Sequence, residues 1–369
     1  MPMSEACRGD VTSAVMAYLD AAVDDQAVTE QHILGTGATR AIEQKMRRHF
    51  GMPYAVACCN ATSGLLAAEL ALGLRGSEII TSSLVYGASL SGALFLGNRC
   101  SLADVDGSMN LSADAVRRCV RTRTKAILAL DFNGVPADME ALRHVADEFG
   151  LWYIADAAQS FGAKWNRRPA GSLADVLVTS FTCGKSLFAG EGAVVLTRHR
   201  EVYERLLWHT QHPCRQRREL GLHLFNEFSL NFRIHPLAAI WANAAFEPSL
   251  QNVRVAQGYW LGVLSVLEHD GLIECYGYSK NGICPSFFRA VVRLRGNVKV
   301  ADIRTHVAKS GLQIDAQPLI FLPLYRNPSA LAQYERHFSA HCCPNAEILS
   351  QGLVVLSRIS AKEESCKIS

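Results

Sequence analysis

Between residues 53 and 200, short apolar runs alternate with amphipathic stretches, and this alternation constrains the fold more than any other feature. "YAVACC", "EIITSS", "CSLADV", "KAILALDF", "LWYIAD", "DVLVTSF" and "GAVVLT" read as strands, most of them apolar throughout. Strands of that kind leave no face for water, so they belong in a mostly parallel sheet covered by helices on both sides. The segments between them fit this. "SGLLAAELALGL" is a helix apolar nearly all round. "ADMEALRHVADEFG" is a helix with an apolar row at Met139, Leu142, Val145 and Phe149, opening near Asp138 and closing at Gly150. In such sheets ligands bind beyond the carboxyl ends of the strands, so the residues just after each run are the place to look for chemistry.

From about residue 236 the pattern changes. "PLAAIWANAAFEPSLQNVRVAQGYWLGVLSVLEHDG" is a long helical stretch, and it leads to a strand in "FFRAVVRLRG", a helix in "KVADIRTHVAKSG" and a late strand in "GLVVLS". With 369 residues the chain exceeds what one core usually serves. We expect a large domain over 1–245 and a smaller α+β domain over 246–369, joined through the long helix, with the N-terminal segment a candidate to pack on the smaller lobe. No internal repeat, low-complexity segment or flexible linker stands out.

The formal charge of +3 gives no reason to expect nucleic acid or an acidic membrane surface as partner. The N-terminus lacks a signal-type apolar core, and no stretch approaches the roughly 20 apolar residues that cross a bilayer. The 12 cysteines include no CxxC pair and no metal-site spacing. A reduced, cytoplasmic protein whose cysteines mostly fill core positions is the expectation.

Three strand ends carry candidate chemistry. After "YAVACC" comes "NATSG", where a strand yields to a helix. Free backbone amides and the positive helix end make a seat for phosphate, with Thr62 and Ser63 adding hydroxyls; the plainer alternative is a helix cap at Asn60 or Thr62. After "LWYIA" comes "DAAQSFGA". Asp156 ends a buried strand and needs a cationic or donating partner, and Gln159 can turn to the same side; a helix cap or a structural network is the alternative. After "DVLVT" comes "SFTCGK", with Ser180 at the strand end and Lys185 in a glycine-punctuated turn. Most lysines are solvated, but Phe181 and Leu187-Phe188-Ala189 are not the flanks of a solvated face. A lysine held among such residues loses its proton readily and forms Schiff bases. A phosphate seat, a carboxylate for a ring nitrogen and a lysine for an aldehyde together match the three handles of pyridoxal 5′-phosphate.

On these motifs the chain resembles the DegT/StrS family of sugar aminotransferases, which share the aspartate-aminotransferase fold (fold type I of the pyridoxal-phosphate enzymes). The likeness runs through "LGTGATRAIEQKMRRHFGMPYAVACCNATSG", "FNGVPADMEALRHVADEFGLWYIADAAQSFGA", "SFTCGKSLFAGEGAVVLT" and "FSLNFRIHPLAAI", and more weakly "CPNAEILSQGLVVLS". The resemblance implies that Lys185 bonds the cofactor's aldehyde carbon, Asp156 pairs with the pyridinium nitrogen and Gln159 lies near the phenolic oxygen. Thr62, Ser63 and Ser180 would hold the phosphate. Tyr86, in "SSLVYGAS", would stack on the ring, the alternative being a core aromatic at a helix start. Asn231, in "LNFR", would reach the phosphate of a neighbouring subunit, so the resemblance also implies a homodimer with shared active sites.

Two positions depart from the family pattern. Ala193 replaces the second glycine of the usual GEGG run, and Tyr325 stands where many members have histidine, near the acceptor region. The function implied is transfer of an amino group from an amino acid, glutamate or glutamine by family habit, to a keto-sugar, keto-cyclitol or related carbonyl acceptor. A lyase on the same cofactor and a non-catalytic, cofactor-binding regulator are the competing readings. Arg215, Arg217 and Arg218 in "HPCRQRREL" read as a solvated loop; His209 and His212 receive no role.

Overall fold

The computed structural model describes residues 5–221, 225–275, 278 and 282–359. Residues 1–4, part of the stretch read as lacking a signal segment, lie outside the described residues, as does Cys366. The seven apolar runs form strands β1 (Tyr54–Cys58), β2 (Glu78–Ser82), β3 (Arg99–Ala103), β4 (Thr124–Leu130), β5 (Trp152–Asp156) and, past the short hairpin β6 (Lys164–Trp165) and β7 (Arg168–Pro169), β8 (Val176–Val178) and β9 (Ala193–Thr197). Later strands are β10 (Ile273–Cys275), β11 (Ile283–Cys284), β12 (Ala290–Leu294), β13 (Ile314–Pro318), β14 (Phe338–Ala340) and β15 (Leu353–Arg358).

One sheet of eight strands runs in the order β1-β9-β8-β5-β4-β2-β3-β14. All its pairings are parallel except those of β9, which is antiparallel to both β1 and β8. Alternate residues feed two cores. Ala55, Ile80, Ile127, Tyr153, Leu177 and Val194 point to one face, and Val56, Ile79, Leu128, Ile154, Val178 and Val195 to the other. Both faces are therefore buried, which is why the runs lack polar alternation.

Helices cover the two faces, after the N-terminal pair α1 (Glu5–Asp24) and α2 (Gln26–Leu34). The second of the two core layers takes α4 (Ala61–Ala71), α5 (Ser91–Phe95) and α8 (Arg200–Thr210); the first takes α3 (Gly37–Phe50), α6 (Ala113–Cys119) and α7 (Met139–Phe149). Helix α7 begins at Asp138, whose side chain accepts from the Ala141 amide, and ends at Gly150 with φ 62°. Its buried row is Met139, Leu142, Val145 and Ala146; Phe149, expected in that row, is 41% exposed, because it lies in the last turn.

A short helix, α9 (Pro213–Leu220), precedes the 34-residue α10 (Pro236–His269). The first part of α10 packs Ala239, Ala242, Ala245 and Phe246 into the large-sheet core. Its second part packs Ala256, Trp260, Val263 and Leu264 into a third core, with the antiparallel sheet β10-β12-β15-β13 and α11 (Val300–Ser310). Helix α1 lies along α10. The chain's last third also returns to the large sheet, where β14 pairs in parallel with β3 at its edge; three residues are too few for a sequence pattern to reveal. Among the described cysteines Cys58, Cys100, Cys119 and Cys343 are buried, but Cys183, Cys214, Cys284 and Cys342 are exposed, so core filling describes only some of them.

Candidate active site

The carboxyl ends of β1, β2, β4, β5 and β8 open onto one cavity of about 650 Å³. Thr62, Ser63, Tyr86, Asp156, Gln159, Ser180 and Lys185 all line it. They arrive from four junctions, after β1 (Thr62, Ser63), β2 (Tyr86), β5 (Asp156, Gln159) and β8 (Ser180, Lys185), so residues scattered over more than 120 positions meet in one place.

At the end of β1, Asn60 adopts an extended backbone and its side chain accepts from the Ser63 amide at 2.8 Å. The cap alternative thus holds for Asn60, while Thr62 and Ser63 sit in the first helical turn and face the cavity. The first amides of α4 have no acceptor within the helix, so this end is an anion seat. Gly64 follows where the helix lies close on the sheet: a Cβ there would come within 3.1 Å of both Val178 and Val195.

Asp156 is 3% exposed at the end of β5. Its Oδ2 accepts from Ser89 Oγ at 2.6 Å and its Oδ1 from the Ala158 amide at 3.0 Å. Burial raises its pKa; the Ser89 hydroxyl, the Ala158 amide and the Lys185 charge oppose that in part. Lys185 is half-buried, its Nζ 4.5 Å from the centroid of the Phe288 ring. Burial lowers its pKa, Asp156 works in the other direction and the positive Arg289 adds to the lowering. An amine so placed spends more time neutral than a surface lysine, as a nucleophile and proton carrier requires. Gln159 is pinned: its Oε1 accepts from the Asn133 amide at 2.8 Å and its carbonyl accepts from Ser286 Oγ at 2.6 Å. Tyr86 is 59% exposed at the cavity rim, so the core-aromatic alternative for it does not hold.

Asn231 lies elsewhere. It is exposed, with φ 52°, in a separate hollow of about 370 Å³ that it shares with Tyr18, His32 and Arg233. The arginine segment is also unlike its sequence reading. It forms α9, and Arg215 is fully buried, bonded to Glu43 at 2.9 Å, Glu219 at 3.0 Å and Gln211 at 3.1 Å. A charge run read as solvated is in part a core ion cluster, because Glu43 on α3 and Glu219 on α9 close around it. Arg217 stacks 3.7 Å from the Phe225 ring. The Tyr325 hydroxyl donates to Glu347 at 2.9 Å and is not among the cavity residues. His212 caps α9, its Nδ1 accepting from the Cys214 amide.

Sequence reasoning missed Ser89, Asn133, Phe288, Arg289, Leu319 and Phe321, all on the cavity wall. Ser89 carries no signal beyond lying three residues after Tyr86. Phe288 and Arg289 read only as the start of a strand; their place beside Lys185 depends on how the third core docks against the first.

A cavity at the carboxyl edge of a mostly parallel sheet, with a lysine, a buried carboxylate and a hydroxyl-lined helix end on its wall, is the arrangement of an α/β enzyme. The particular family follows from comparison: residues 18–360 match the DegT/DnrJ/EryC1/StrS aminotransferase family, and the chain belongs to it. The chain is similar to GDP-perosamine synthase of Escherichia coli O157:H7, with 25% identity over 306 residues, 80% of this chain and 79% of that protein. It is similar to 3-amino-5-hydroxybenzoate synthase of Amycolatopsis mediterranei, with 28% identity over 62% of this chain and 59% of the relative. Among solved structures, NtdA from Bacillus subtilis with bound cofactor PMP superposes with a TM-score of 0.75, at 17% identity over 98% of this chain and 80% of that one. The fold is thus that of the aminotransferases of this family, and the chain is an enzyme of the aminotransferase class.

Proposed function

We propose that the protein is a pyridoxal-phosphate aminotransferase that moves an amino group from an amino acid, glutamate or glutamine, to a keto-sugar, keto-cyclitol or related carbonyl compound. The observation that carries this is the convergence of Lys185, Asp156 and the α4 helix end on one cavity. The donor set fits the cofactor. The hydroxyls of Thr62, Ser63 and Ser180 with the first amides of α4 suit its phosphate, Asp156 its ring nitrogen, Lys185 its aldehyde and the exposed Tyr86 ring a flat face. The named activities of the perosamine and aminohydroxybenzoate relatives support a carbonyl acceptor of this kind.

When bound, the cofactor supplies an aldehyde for the substrate amine and a ring that withdraws electrons from the carbon bearing it. Asp156 would hold a proton on the ring nitrogen, since its own burial makes a cationic partner favourable. Ser89 fixes the carboxylate that does so. Lys185, half-buried and with a lowered pKa, would serve as the amine for the cofactor's aldehyde and as the base and acid that moves a proton to and from the donor and acceptor carbons. Gln159, whose Oε1 accepts from the Asn133 amide and whose backbone carbonyl accepts from Ser286, would border the ring.

The reading includes a division into lobes over 1–245 and 246–369, a cytoplasmic location and a homodimer in which Asn231 serves the partner's site. The exposure of Asn231 outside its own cavity supports the last of these. Among the described residues no helix is long and apolar enough to cross a membrane.

The test is optical. The purified holoprotein should be yellow, and L-glutamate or L-glutamine, added separately, should bleach the band. A yellow protein that no amino donor bleaches would favour the lyase or regulatory reading. A protein that cannot be loaded with the cofactor would overturn the whole assignment.

A further inference from the structure

Behind the cavity lies a second buried carboxylate that the roles above leave unused. Asp131 follows β4, whose last residue, Leu130, pairs with Asp156 of β5, and the Asp131 amide donates to the Asp156 carbonyl at 3.4 Å. The two acids thus stand at the carboxyl ends of neighbouring strands. Leu130 belongs to the core on the α4 side; Asp131 turns the other way, to the layer that holds Ala137 and Tyr153. It is 5% exposed. Its Oδ2 accepts from Ser160 Oγ at 2.5 Å and its Oδ1 from the Ala137 amide at 2.8 Å.

Neither bond needs a charge. An asparagine could accept from the Ala137 amide and donate to the Ser160 hydroxyl in the same shape. What the carboxylate adds is a negative charge, and among the described residues no cation pairs with it. The ionisable groups around it are Asp156 and Tyr153 on β5 and, beyond Tyr153, Asp138 and Arg143 at α7 and Asp175 before β8. Only Arg143 is positive, and it is bonded to Asp175 at 2.8 Å and Asp147 at 2.7 Å. Burial raises the Asp131 pKa to about 6, against the Ser160 hydroxyl and the Ala137 amide and with a further push from Asp156. A buried acid without a cation is costly, and a positive charge arriving nearby relieves that cost.

The bond to Ser160 also reaches the site. Ser160 ends the turn 156–160, which carries Gln159, and the Gln159 Oε1 accepts from the amide of Asn133, two residues after Asp131. Asp131 therefore ties together the two turns that meet at Gln159. We propose that Asp131 is a positioning residue: through Ser160 it holds the turn of Asp156 and Gln159, and its charge adds to that of Asp156 in favouring a proton on the ring nitrogen of the cofactor. This role presupposes the pyridoxal-phosphate reading of the cavity. Coulomb interaction falls only as the inverse of distance, so a carboxylate behind Asp156 acts on that proton without touching it.

The test is cofactor binding by the full-length protein freed of cofactor, measured by fluorescence titration from pH 5 to pH 8. Two ligands are compared: pyridoxal 5′-phosphate and its 1-deaza analogue, in which a carbon replaces the ring nitrogen and no proton can be held. Asp131→Asn keeps the shape and removes the charge. Taking its Kd relative to wild type cancels the ionisation of the ligand's phosphate and of Lys185. For pyridoxal phosphate the ratio should be near one at pH 5, where Asp131 is protonated, and rise through pH 6 to on the order of 10-fold at pH 8. For the analogue it should stay near one throughout. Ser160→Ala keeps the charge and removes a bond that lowers the Asp131 pKa. Its affinity for pyridoxal phosphate should fall below wild type between about pH 6 and 7 and recover by pH 8. A ratio flat with pH in either variant, or one as large for the analogue, would overturn the proposal. Wild-type protein that binds neither ligand would overturn the cofactor reading itself, and this role with it.

Discussion

Two clusters of buried charge lie in this molecule, and they are built in opposite ways. Around Arg215 the protein has closed the circuit. One guanidinium, fully buried, is bonded to Glu43, Glu219 and Gln211, and Glu43 also accepts from the Ala57 amide. Burial works against the charge on Arg215, and the carboxylates of Glu43 and Glu219 outweigh it, holding its pKa above the ordinary range. Around Asp156 the circuit is open. That carboxylate has neutral donors, Ser89 and the Ala158 amide, and the one charge that favours its ionised form is Lys185, with no ion pair between them. A closed cluster stabilises and has nothing left to offer a ligand. An open one is stabilised when a ligand supplies the missing charge.

The largest effect should come from removing the amine of the open cluster. Lys185→Ala is expected to lower the amino-transfer rate by roughly 10³-fold or more, since nucleophile and proton carrier are lost together. Cofactor should still bind through the phosphate seat. A single-turnover measurement with L-glutamate reads this directly, and a variant that turned over at the wild-type rate would erase the distinction between the clusters.

The closed cluster should fail differently. Arg215→Met leaves Glu43 without its cation and Glu219 with only the longer cation contact, to Arg40 at 3.8 Å, and breaking a buried ion network in this way costs about 3–5 kcal/mol. Urea unfolding should show the loss as a lower midpoint. The bleaching rate per folded, cofactor-loaded molecule should stay near wild type. A variant of unchanged stability with altered donor kinetics would show that the cluster is functional after all.

Asp156→Asn tests the open cluster with little change in shape. The amide retains an acceptor for Ser89 or for the Ala158 amide but cannot hold a proton on the ring nitrogen. Turnover should fall by roughly 10²-fold, and the cofactor should be released more readily, with a change in unfolding midpoint much smaller than for Arg215→Met. Absorbance after gel filtration and steady-state rates measure the two effects.

How much of this was legible in the sequence follows the same contrast. The sheet could be read because its strands are buried on both faces, and the cavity positions of Asp156 and Ser180 because they stand at the ends of such strands, with Lys185 in the turn that follows. Helix α7 was legible from its cap chemistry. Arg215 was not: a basic run has the same composition whether it faces water or two carboxylates, one of them 172 positions away. Arg289 and Phe288 were hidden for a related reason. Their contact with the site is made by one core docking against another, and no local pattern records it. Strand ends are legible because the backbone alone aims them; partners brought together by tertiary packing are not.

A third buried charge sharpens the comparison, because it has neither a closed circuit nor a ligand. Glu69 is fully buried on α4, behind the anion seat, and neither of its oxygens is hydrogen-bonded. Burial pushes its carboxyl up to about 8, an effect that the nearby Asn98, whose amide is spent on the Leu74 carbonyl, opposes only in part. With no partner of either kind, the acid is buried in its neutral form at pH 7. The folded state then binds a proton that the unfolded chain releases above its ordinary value near 4.5. Stability from this group is therefore full below about pH 4.5 and is lost as pH rises toward 8, at up to about 1.4 kcal/mol per pH unit. Glu69→Gln keeps the shape and removes the proton. The difference in unfolding free energy between variant and wild type should grow in the variant's favour from pH 5 to pH 8. A difference that stayed flat across that range would mean that Glu69 is ionised in the fold and has found a partner, placing it with Arg215.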